Sequence, residues 1–449
     1  MELPWDRIEH VLKGTSPIRV SGRVVRVGGL LVEGTMPGAK MGMMCRLMLR
    51  GDETGVPAEI VALHDRRVSL MPLSHVSGIT VGTRIEPGDH DPSVGVSEDM
   101  IGRVLDGWGQ PIDGGPAIFA LDRVPLQPPP LNPMERGLVE RPLPLGIRAV
   151  DGILTSGEGQ RVVIMAGAGV GKSTLLGMMA RNTEADLTVV ALIGERSREV
   201  KKFVQGELGE LGLGRSVVVS STSNTAVALR IRAARVATSI AEYFRDKGLR
   251  VLLLMDSLTR VCMAQRELGL ATGEPPTTRG YPPSAFDIIP QLLERAGPGT
   301  SKGGSITACY TALLEGDDLA DPIGDAIRAV TDGHIVLSRK LAEQGHFPAI
   351  DVLASTSRVM GEVASEAHRR SAAEVRRVLS DLFEAEELQS VAAYEPGTVG
   401  RFDRAMALGP DIRRFLRQRS GDASDFVATH DAILALGERI RQADQAGAS

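Results

Sequence analysis

A glycine-rich loop between an apolar run and a Lys-Ser pair has the clearest chemistry in this sequence. The run Val162–Met165 leads into the loop, and Lys172 and Ser173 follow it. Backbone N–H groups of such a loop point at phosphate, and the next helix adds partial positive charge. We predict a nucleotide site in which Lys172 reaches the β- and γ-phosphates and Ser173 binds Mg²⁺. The predicted phosphate-binding residues are Gly167, Ala168, Gly169, Val170, Gly171, Lys172, Ser173 and Thr174.

Two further apolar runs end near charged residues that suit phosphate hydrolysis. Val251–Met255 is followed by Asp256, and an aspartate at this place is typical of a second magnesium ligand in proteins with such a loop. Glu195 and Arg196 lie just beyond the run Leu187–Ile193. Hydrolysis needs a carboxylate that orients the attacking water, and Glu195 is a candidate for it. The spacing alone equally allows an exposed Glu–Arg pair.

An arginine late in the central part of the chain is another candidate. Arg358 ends the segment Ala354-Ser355-Thr356-Ser357-Arg358, which is otherwise made of small residues. An arginine that reaches the phosphate of a neighbouring subunit acts as an arginine finger and contributes on the order of 10³–10⁵ in rate. A single arginine in a loop is more often simply solvated, so the residues alone leave both alternatives open.

These candidates need a parallel sheet that brings several strand ends to one edge. Residues 146–360 alternate apolar β-branched runs with helical stretches, which predicts an α/β fold with a mainly parallel sheet. The usual pattern of such a loop has glycine where this sequence has Ala166. We expect Ala166 to be the last residue of its strand, where a methyl group is tolerated. The predicted strands are Arg161–Ala166, Leu187–Ile193, Ser216–Ser221, Arg250–Met255 and Ile306–Thr311, and the predicted helices include Leu175–Arg181 and Ala226–Lys247.

The flanking segments predict two further domains, because 449 residues exceed one hydrophobic core. Residues 1–95 combine an amphipathic segment at 1–13 with short runs that favour a small β-barrel. Residues 96–360 form the α/β core, which is entered through a proline-rich connector at 125–145. Residues 361–449 form a helical domain. Its predicted helices are Ala364–Leu382, Arg401–Leu408 and Ser424–Gln442.

The bulk composition argues against several classes of protein. The net charge is −5 and aromatic residues are 3%, so we expect no nucleic-acid partner. Residues 18–87 contain no Phe, Tyr or Trp on which bases could stack, and the barrel is predicted to be structural. No apolar run reaches the length of a membrane span. We expect a cytoplasmic protein that meets a membrane only through partners.

A series of motifs runs in order through the core. It comprises Ala166–Thr174, Gly194–Val200, Leu254–Arg260, Met263–Glu267, Gly273–Pro283, Glu315–Asp318, Asp332–Arg339 and Ile350–Met360. The series resembles the type III protein export ATPases of the bacterial flagellum and of the related injection apparatus, which are similar to the catalytic subunit of rotary ATP synthases. The resemblance implies a RecA-like P-loop core between a β-barrel and a helical domain, and Mg²⁺-dependent ATP hydrolysis that energises flagellar export of unfolded proteins and chaperone release.

The resemblance also implies roles for individual residues in catalysis. Glu195 would orient the attacking water, with Arg196 beside it at the phosphates. Arg358 would reach the γ-phosphate of the neighbouring subunit, and Arg260 would support the site near the metal. One chain type would then supply complete sites in a homohexameric ring.

Base recognition and partners are implied in the same way. Phe347 would stack on adenine, where the family usually has tyrosine, and Tyr394 would face it. The loop Gly273–Pro283 would meet a central coiled-coil stalk protein, and segment 1–13 would dock a stator-like regulator. The ring would work with export chaperones and substrates, at the inner face of the bacterial inner membrane.

Four alternatives remain at this stage. The client is either the flagellum, which we favour, or the injection apparatus. A hexameric nucleic-acid helicase is disfavoured by the acidic charge and the barrel without aromatics. A rotary ATP synthase catalytic subunit is disfavoured by Asp332-Gly333-His334, which looks export-like. A non-catalytic regulatory subunit would typically lack the carboxylate found at Glu195.

Overall fold

The chain builds a β-barrel, an α/β core and a helical C-terminal part, as seen in a computed structural model. The structure describes residues 20–52, 54–65, 67–74, 77–88, 92–120, 122–300, 303–314, 316, 318 and 320–446. The amphipathic segment predicted at 1–13 lies outside these described residues. None of the helices within the described ranges is long and apolar enough to cross a membrane.

The barrel is closed by six strands in the order β1-β2-β5-β4-β3-β6. Alternate residues point inward, and Leu47, Ile60, Leu70 and Ile85 fill the interior. The strands are β1 (Gly22–Gly28), β2 (Leu31–Thr35), β3 (Met44–Met48), β4 (Val56–His64), β5 (Arg67–Pro72) and β6 (Arg84–Pro87). The predicted small barrel is therefore confirmed.

The core is built on one large sheet in the order β17-β16-β10-β15-β13-β11-β12-β8, with β14 pairing beside β15. Strands β8, β12, β11, β13, β15, β10 and β16 run parallel, and β17 and β14 are antiparallel to their neighbours. A separate two-stranded sheet joins β7 to β9. The bounds are β7 (Ser93–Val96), β8 (Val104–Leu105), β9 (Asp122–Pro125), β10 (Arg161–Ala166), β11 (Leu187–Ile193), β12 (Ser216–Ser221), β13 (Arg250–Asp256), β14 (Gly297–Pro298), β15 (Ser305–Leu313), β16 (Gly333–Leu337) and β17 (Ile350–Ser357).

Helices cover both faces of this sheet, as expected for parallel strands that are buried on both sides. The core helices are α1 (Arg148–Ile153), α2 (Lys172–Asn182), α3 (Ser197–Lys202), α4 (Gly209–Leu213), α5 (Val227–Asp246), α6 (Leu258–Ala271), α7 (Ser284–Leu293), α8 (Pro322–Val330), α9 (Arg339–Glu343) and α10 (Met360–Val363). One face packs on α5, α6 and α7, and the other packs on α2 and the C-terminal helices. Residues Phe203–Leu208, between α3 and α4, form a π-helical turn.

The C-terminal part consists of three helices, α11 (Glu366–Ser390), α12 (Gly400–Leu416) and α13 (Phe426–Ala446). Their buried side chains Val375, Leu379, Ile412 and Ile433 join the core on the α2 side of the sheet. The three helices contact α1, and the segment after α12 accepts hydrogen bonds from Arg181 and Asn182 at the end of α2. C-terminal residues thus lie near the helix that follows the glycine-rich loop.

Candidate active site

The glycine-rich loop connects the end of β10 to the start of α2. Ala166 is fully buried and is the last residue of β10, as predicted. Gly169 and Gly171 have φ values of 79° and 92°, a conformation that strains any residue with a Cβ. Lys172 then opens an 11-residue helix whose free N–H groups face the loop. The loop thus has the backbone of an anion-binding turn.

Three charged groups meet beside this loop because their strands are close in the sheet. Lys172 Nζ donates to Asp256 Oδ1 and lies 3.8 Å from Glu195 Oε1. The Asp256 side chain is almost fully buried, and it also accepts a hydrogen bond of 2.8 Å from Thr311 Oγ1. The structure therefore brings together the lysine and both carboxylates that the sequence singled out.

Glu195 lies in an environment that favours its neutral form. Burial raises the pKa of Glu195 to about 7, helped by a hydrogen bond with Glu199 and by the charge of Asp256. Lys172 and Arg260 act in the opposite direction. The same hydrogen bond lowers the pKa of Glu199. A carboxyl with a pKa close to neutrality beside a phosphate site is suited to proton transfer or to orienting water.

Most of the other predicted phosphate-side residues line one cavity of about 460 Å³, whereas Val170 is buried in the hydrophobic core and does not line it. Arg260 lies at its edge, and the Cα of Gly194 faces the Arg260 stem so closely that an added Cβ would lie 3.0 Å from Arg260 Cβ. Arg196 is largely exposed, with its guanidinium 3.4 Å from Glu199. The lining residues are Gly167, Ala168, Gly169, Gly171, Lys172, Ser173, Thr174, Glu195, Arg196, Glu199, Lys202, Phe203, Glu207, Arg260 and Leu313.

A second cavity, of about 1070 Å³, lies on the other side of Gly171. Phe347 lines it and is half exposed, and an added Cβ on Gly171 would lie 3.5 Å from the Phe347 ring. An aromatic face this close to the phosphate loop is placed to stack on a nucleotide base. Four arginines of the C-terminal part, Arg413, Arg414, Arg417 and Arg419, line the same cavity.

Tyr394 does not belong to this second cavity, contrary to its expected place opposite Phe347. Tyr394 is not among the described lining residues of the cavity and is itself buried in the C-terminal part. Its ring packs edge-on against Phe402, and its hydroxyl donates to Asp403 at 2.6 Å. This hydrogen bond raises the pKa of Tyr394 to about 12. The apolar cluster with Phe402 and Ala385 determines where this side chain lies.

Arg358 is exposed and lies at the far end of the sheet from its own phosphate loop. Its backbone N–H donates to Asp332, and Asp332 bonds Arg161, the first residue of β10, whereas the loop follows the last residue. Five residue steps of a strand span about 17 Å. The cavity that Arg358 lines shares no described residue with the phosphate cavity. The structure therefore separates Arg358 from the site of its own chain.

Two residues of the site carry no signal in the sequence. Glu207 comes from the π-helical turn and accepts a hydrogen bond of 3.1 Å from Thr174 Oγ1, and such turns are frequent at functional sites. Gln418 is buried, and its side chain bonds the backbone of Gly146, Arg148 and Asp422. Its backbone N–H donates to the Phe347 carbonyl. Partners so distant in sequence cannot be inferred from local spacing.

Comparison with known proteins shows the same arrangement of parts. Residues 146–357 match the ATP synthase alpha/beta family, nucleotide-binding domain, and residues 18–87 match the beta-barrel domain of that family. Residues 364–435 match the T3SS EscN ATPase C-terminal domain. The flagellum-specific ATP synthase of Pseudomonas aeruginosa is 50% identical over 93% of this chain and 92% of its own length. The chain belongs to the family of flagellum-specific ATP synthases and type 3 secretion system ATPases.

Members that serve the two export systems are similarly close to this ATPase. The type 3 secretion system ATPase of Sinorhizobium fredii is 47% identical over 91% of this chain and 90% of its own length. Assembled EscN from the enteropathogenic E. coli type III secretion system superposes with a TM-score of 0.87 at 41% identity, covering 93% of this chain and 100% of EscN. EscN in complex with its central stalk EscO superposes with a TM-score of 0.85. The fold of this ATPase is thus that of EscN.

Proposed function

We propose that this ATPase hydrolyses ATP with Mg²⁺ in a homohexameric ring and thereby energises flagellar type III export of unfolded proteins and the release of their chaperones. The observation that carries the chemistry is the meeting of Lys172, Glu195 and Asp256 beside the glycine-rich loop. The flagellum is proposed as the export system served because the chain is 50% identical to a flagellar member of the family. We assign the barrel to residues 1–95, the ATPase core to 96–360 and the helical domain to 361–449.

The phosphates of ATP would be held by the backbone N–H groups of residues 167–174 and by Lys172. Mg²⁺ fits the remaining donors, because it prefers oxygen ligands and the site offers the Ser173 hydroxyl and the buried carboxylate of Asp256. The bound ion would neutralise charge that develops on the phosphates during transfer. Lys172, already paired with Asp256, holds that carboxylate in place.

Glu195 would orient and polarise the attacking water, since it lies on the same side of the loop as Lys172. Its raised pKa makes the Glu195 carboxylate a stronger proton acceptor than an ordinary glutamate. Arg196, exposed at the mouth of the cavity, would contact the phosphates, and Arg260 would offset negative charge near Glu195 and Asp256. Phe347 would stack on the adenine base in the neighbouring cavity.

Arg358 would act on the γ-phosphate held by the next subunit. This proposal is supported by the exposure of Arg358 and by its distance to the loop of its own chain, since one subunit cannot bring both to the same phosphate. A ring of identical chains repeats this heterologous contact and closes by rotation. The assembled form of EscN, which shares the fold, supports such a ring.

The proposed partners are those that the resemblance to this family implies. The loop Gly273–Pro283 is largely exposed, and we assign it to a central coiled-coil stalk protein, as EscN has the stalk EscO. The segment 1–13 would dock a stator-like regulator. Chaperones, substrates and the export gate would bring the cytoplasmic ring to the inner face of the bacterial inner membrane, with no nucleic acid involved.

Deletion of the gene, scored for swimming and for secretion of hook and filament proteins, tests this function. Loss of both, restored by the wild-type gene and not by Glu195→Gln, is the expected result. Intact flagella would show that the flagellum is not the client. The injection apparatus would then be favoured, a client supported by the likeness to EscN. ATP hydrolysis that is stimulated by RNA would instead favour a nucleic-acid motor and contradict the proposal.

A further inference from the structure

We propose that Gln160 is a positioning residue for Arg358, acting through Ser357, the residue before it, and through Asp332, whose carbonyl accepts the Arg358 backbone N–H. The proposal rests on the proposed role of Arg358 as a finger for the neighbouring subunit. Gln160 immediately precedes β10 and touches neither the phosphate loop nor its cavity among the described lining residues. Its role is therefore distinct from that of the residues that bind the nucleotide of the same chain.

The side-chain amide of Gln160 is fully buried and uses both of its protons. Nε2 donates to the Asp332 carbonyl at 3.1 Å and to Ser357 Oγ at 3.2 Å. Oε1 accepts a hydrogen bond of 3.0 Å from the backbone N–H of Gly157. One side chain thus fixes the residue before Arg358 and the residue to which the Arg358 backbone is bonded.

The Asp332 carbonyl is the point at which these contacts meet. It accepts from Gln160 Nε2 and from the Arg358 backbone N–H, the latter at 2.9 Å. The Asp332 carboxylate accepts from the backbone N–H and the guanidinium of Arg161, at 2.9 Å and 3.1 Å to Oδ2. Asp332 is consequently held to the start of β10 by both Gln160 and Arg161.

Ser357 and Gly333 complete the group of contacts that holds the Arg358 backbone. We call this group, formed by Gln160, Arg161, Asp332, Gly333 and Ser357, the anchor. Ser357 Oγ, which accepts from Gln160, donates to the Thr155 carbonyl at 2.8 Å. At Gly333 an added Cβ would lie 2.5 Å from the Thr356 carbonyl oxygen and 3.2 Å from Gln160 Nε2. Such a Cβ would clash, so the close approach of β16, β17 and Gln160 requires glycine at this position.

The anchor matters because the described part of the chain gives the Arg358 guanidinium no hydrogen bond or ion pair of its own. The backbone then determines where the Arg358 Cα lies and in which direction its side chain leaves the chain. A reacting group has to be held within a fraction of an ångström, and a displacement of about 1 Å can cost 10²-fold in rate. The hydrogen bonds of Gln160 and the bidentate Asp332–Arg161 pair hold the backbone from which the finger extends.

The test uses Gln160→Met, which keeps the volume and removes all three hydrogen bonds, in the full-length protein. We expect kcat to fall between tenfold and 100-fold, with an unchanged KM for ATP and unchanged binding of a fluorescent ATP analogue. Thr307→Val is the matched control, because buried Thr307 bonds the same turn through Gly159 and Gly157 without touching Asp332 or Ser357. The control should keep the wild-type kcat.

Mixed rings show on which subunit the defect acts. Glu195→Gln subunits carry an intact finger and an intact anchor, so mixing them with Gln160→Met subunits should restore part of the turnover. Arg358→Ala is measured in parallel and should be restored in the same way. A defect in the nucleotide site of the Gln160→Met subunit itself would not be restored.

The outcomes separate this proposal from the one on which it rests. A wild-type kcat for Gln160→Met, or a loss that mixing does not restore while Arg358→Ala is restored, overturns the positioning role alone. Wild-type turnover of Arg358→Ala overturns the finger and the anchor together. If Gln160→Met does not fold, Ser357→Ala replaces it, with a smaller loss of kcat that mixing also restores. A wild-type kcat for Ser357→Ala then overturns the proposal.

Discussion

Lys172 and Asp256 form an ion pair beside the glycine-rich loop, although 84 residues separate them in the sequence. The pair exists because β10 and β13 flank β15, so that the residues that follow these parallel strands lie at the same edge of the sheet. Glu195 belongs to the same group through its 3.8 Å contact with Lys172. The charges of the site therefore balance one another, and changing one of them affects the other two.

Replacing Lys172 by alanine should abolish ATP turnover, with a loss of at least 10³-fold, because no other side chain of the loop carries a positive charge to the phosphates. The fold should survive, since Asp256 keeps its hydrogen bond from Thr311. Steady-state hydrolysis and circular dichroism measure both effects. Turnover near that of the wild type would contradict the placement of the site.

Replacing Glu195 by glutamine should abolish turnover and stabilise the protein at neutral and higher pH. The pKa of Glu195 is raised to about 7 in the folded protein, so folding favours its protonated form. That contribution is complete below the ordinary pKa of a glutamate and is lost as pH rises through about 7. Glutamine mimics the protonated carboxyl at every pH.

Thermal unfolding across pH 4 to 9 measures this difference. The variant and the wild type should unfold at similar temperatures near pH 4, and the variant should unfold a few degrees higher at pH 8. An equal or lower unfolding temperature at pH 8 would show that the proton is not held as the structure indicates. The variant Glu199→Gln serves as the control, because the pKa of Glu199 is shifted in the opposite direction.

Replacing Arg358 by alanine should give assemblies that bind ATP and hydrolyse it poorly, with a loss on the order of 10³-fold in kcat. If the site is shared between subunits as proposed, the specific activity of the wild type should rise with protein concentration as rings form. Hydrolysis and light scattering recorded together check this expectation. A flat specific activity across the range in which monomers become rings would exclude a shared site.

Replacing Phe347 by alanine should raise the KM for ATP roughly tenfold, since stacking on a base contributes about 1–3 kcal/mol. Phe347→Tyr should retain the wild-type KM because it keeps the aromatic face. The chemical step should be unaffected, so kcat stays nearly constant. A wild-type KM for Phe347→Ala would show that the base binds elsewhere.

Replacing Tyr394 by phenylalanine should leave both KM and kcat unchanged. The hydroxyl of Tyr394 bonds Asp403 within the C-terminal helices, so its loss should lower the unfolding temperature slightly. Measurement of hydrolysis kinetics and of thermal unfolding on the same preparation separates the two effects. A raised KM would instead restore Tyr394 to the base pocket, against its position in the structure.

The parts of the fold that could be predicted are those with a strong local pattern. The strands Arg161–Ala166, Leu187–Ile193 and Ser216–Ser221 were predicted with their observed bounds, because each is a run of buried residues between breaks. Helix α2 begins at Lys172, directly after the glycine-rich loop, and the predicted helical stretch Leu175–Arg181 lies within it. Helix α11 extends to Ser390, beyond the predicted end at Leu382. The prediction ended too early because the later turns bury only Ala385 and so show little apolar pattern.

The parts of the site that could not be predicted depend on distant contacts. Gln160 meets Asp332 across 172 residues, and Gln418 meets Gly146 across 272 residues. Neither glutamine belongs to a motif, and only the folded chain gives them partners. Tyr394 was expected at the base pocket by resemblance, whereas its packing against Phe402 places it elsewhere. Local spacing predicts strand ends, and it does not predict which side chain faces which cavity.

Strand β10 has a consequence for how the subunits of a ring depend on one another. At its first residue it holds the anchor of Arg358, and after its last residue it forms the phosphate loop. In the proposed ring, each subunit would own one nucleotide site and complete the site of one neighbour only. A subunit with a faulty anchor would then keep its own nucleotide site intact and lower hydrolysis at the site of one neighbour. Each subunit would therefore depend on the neighbour on one side only, and always on the same side around the ring.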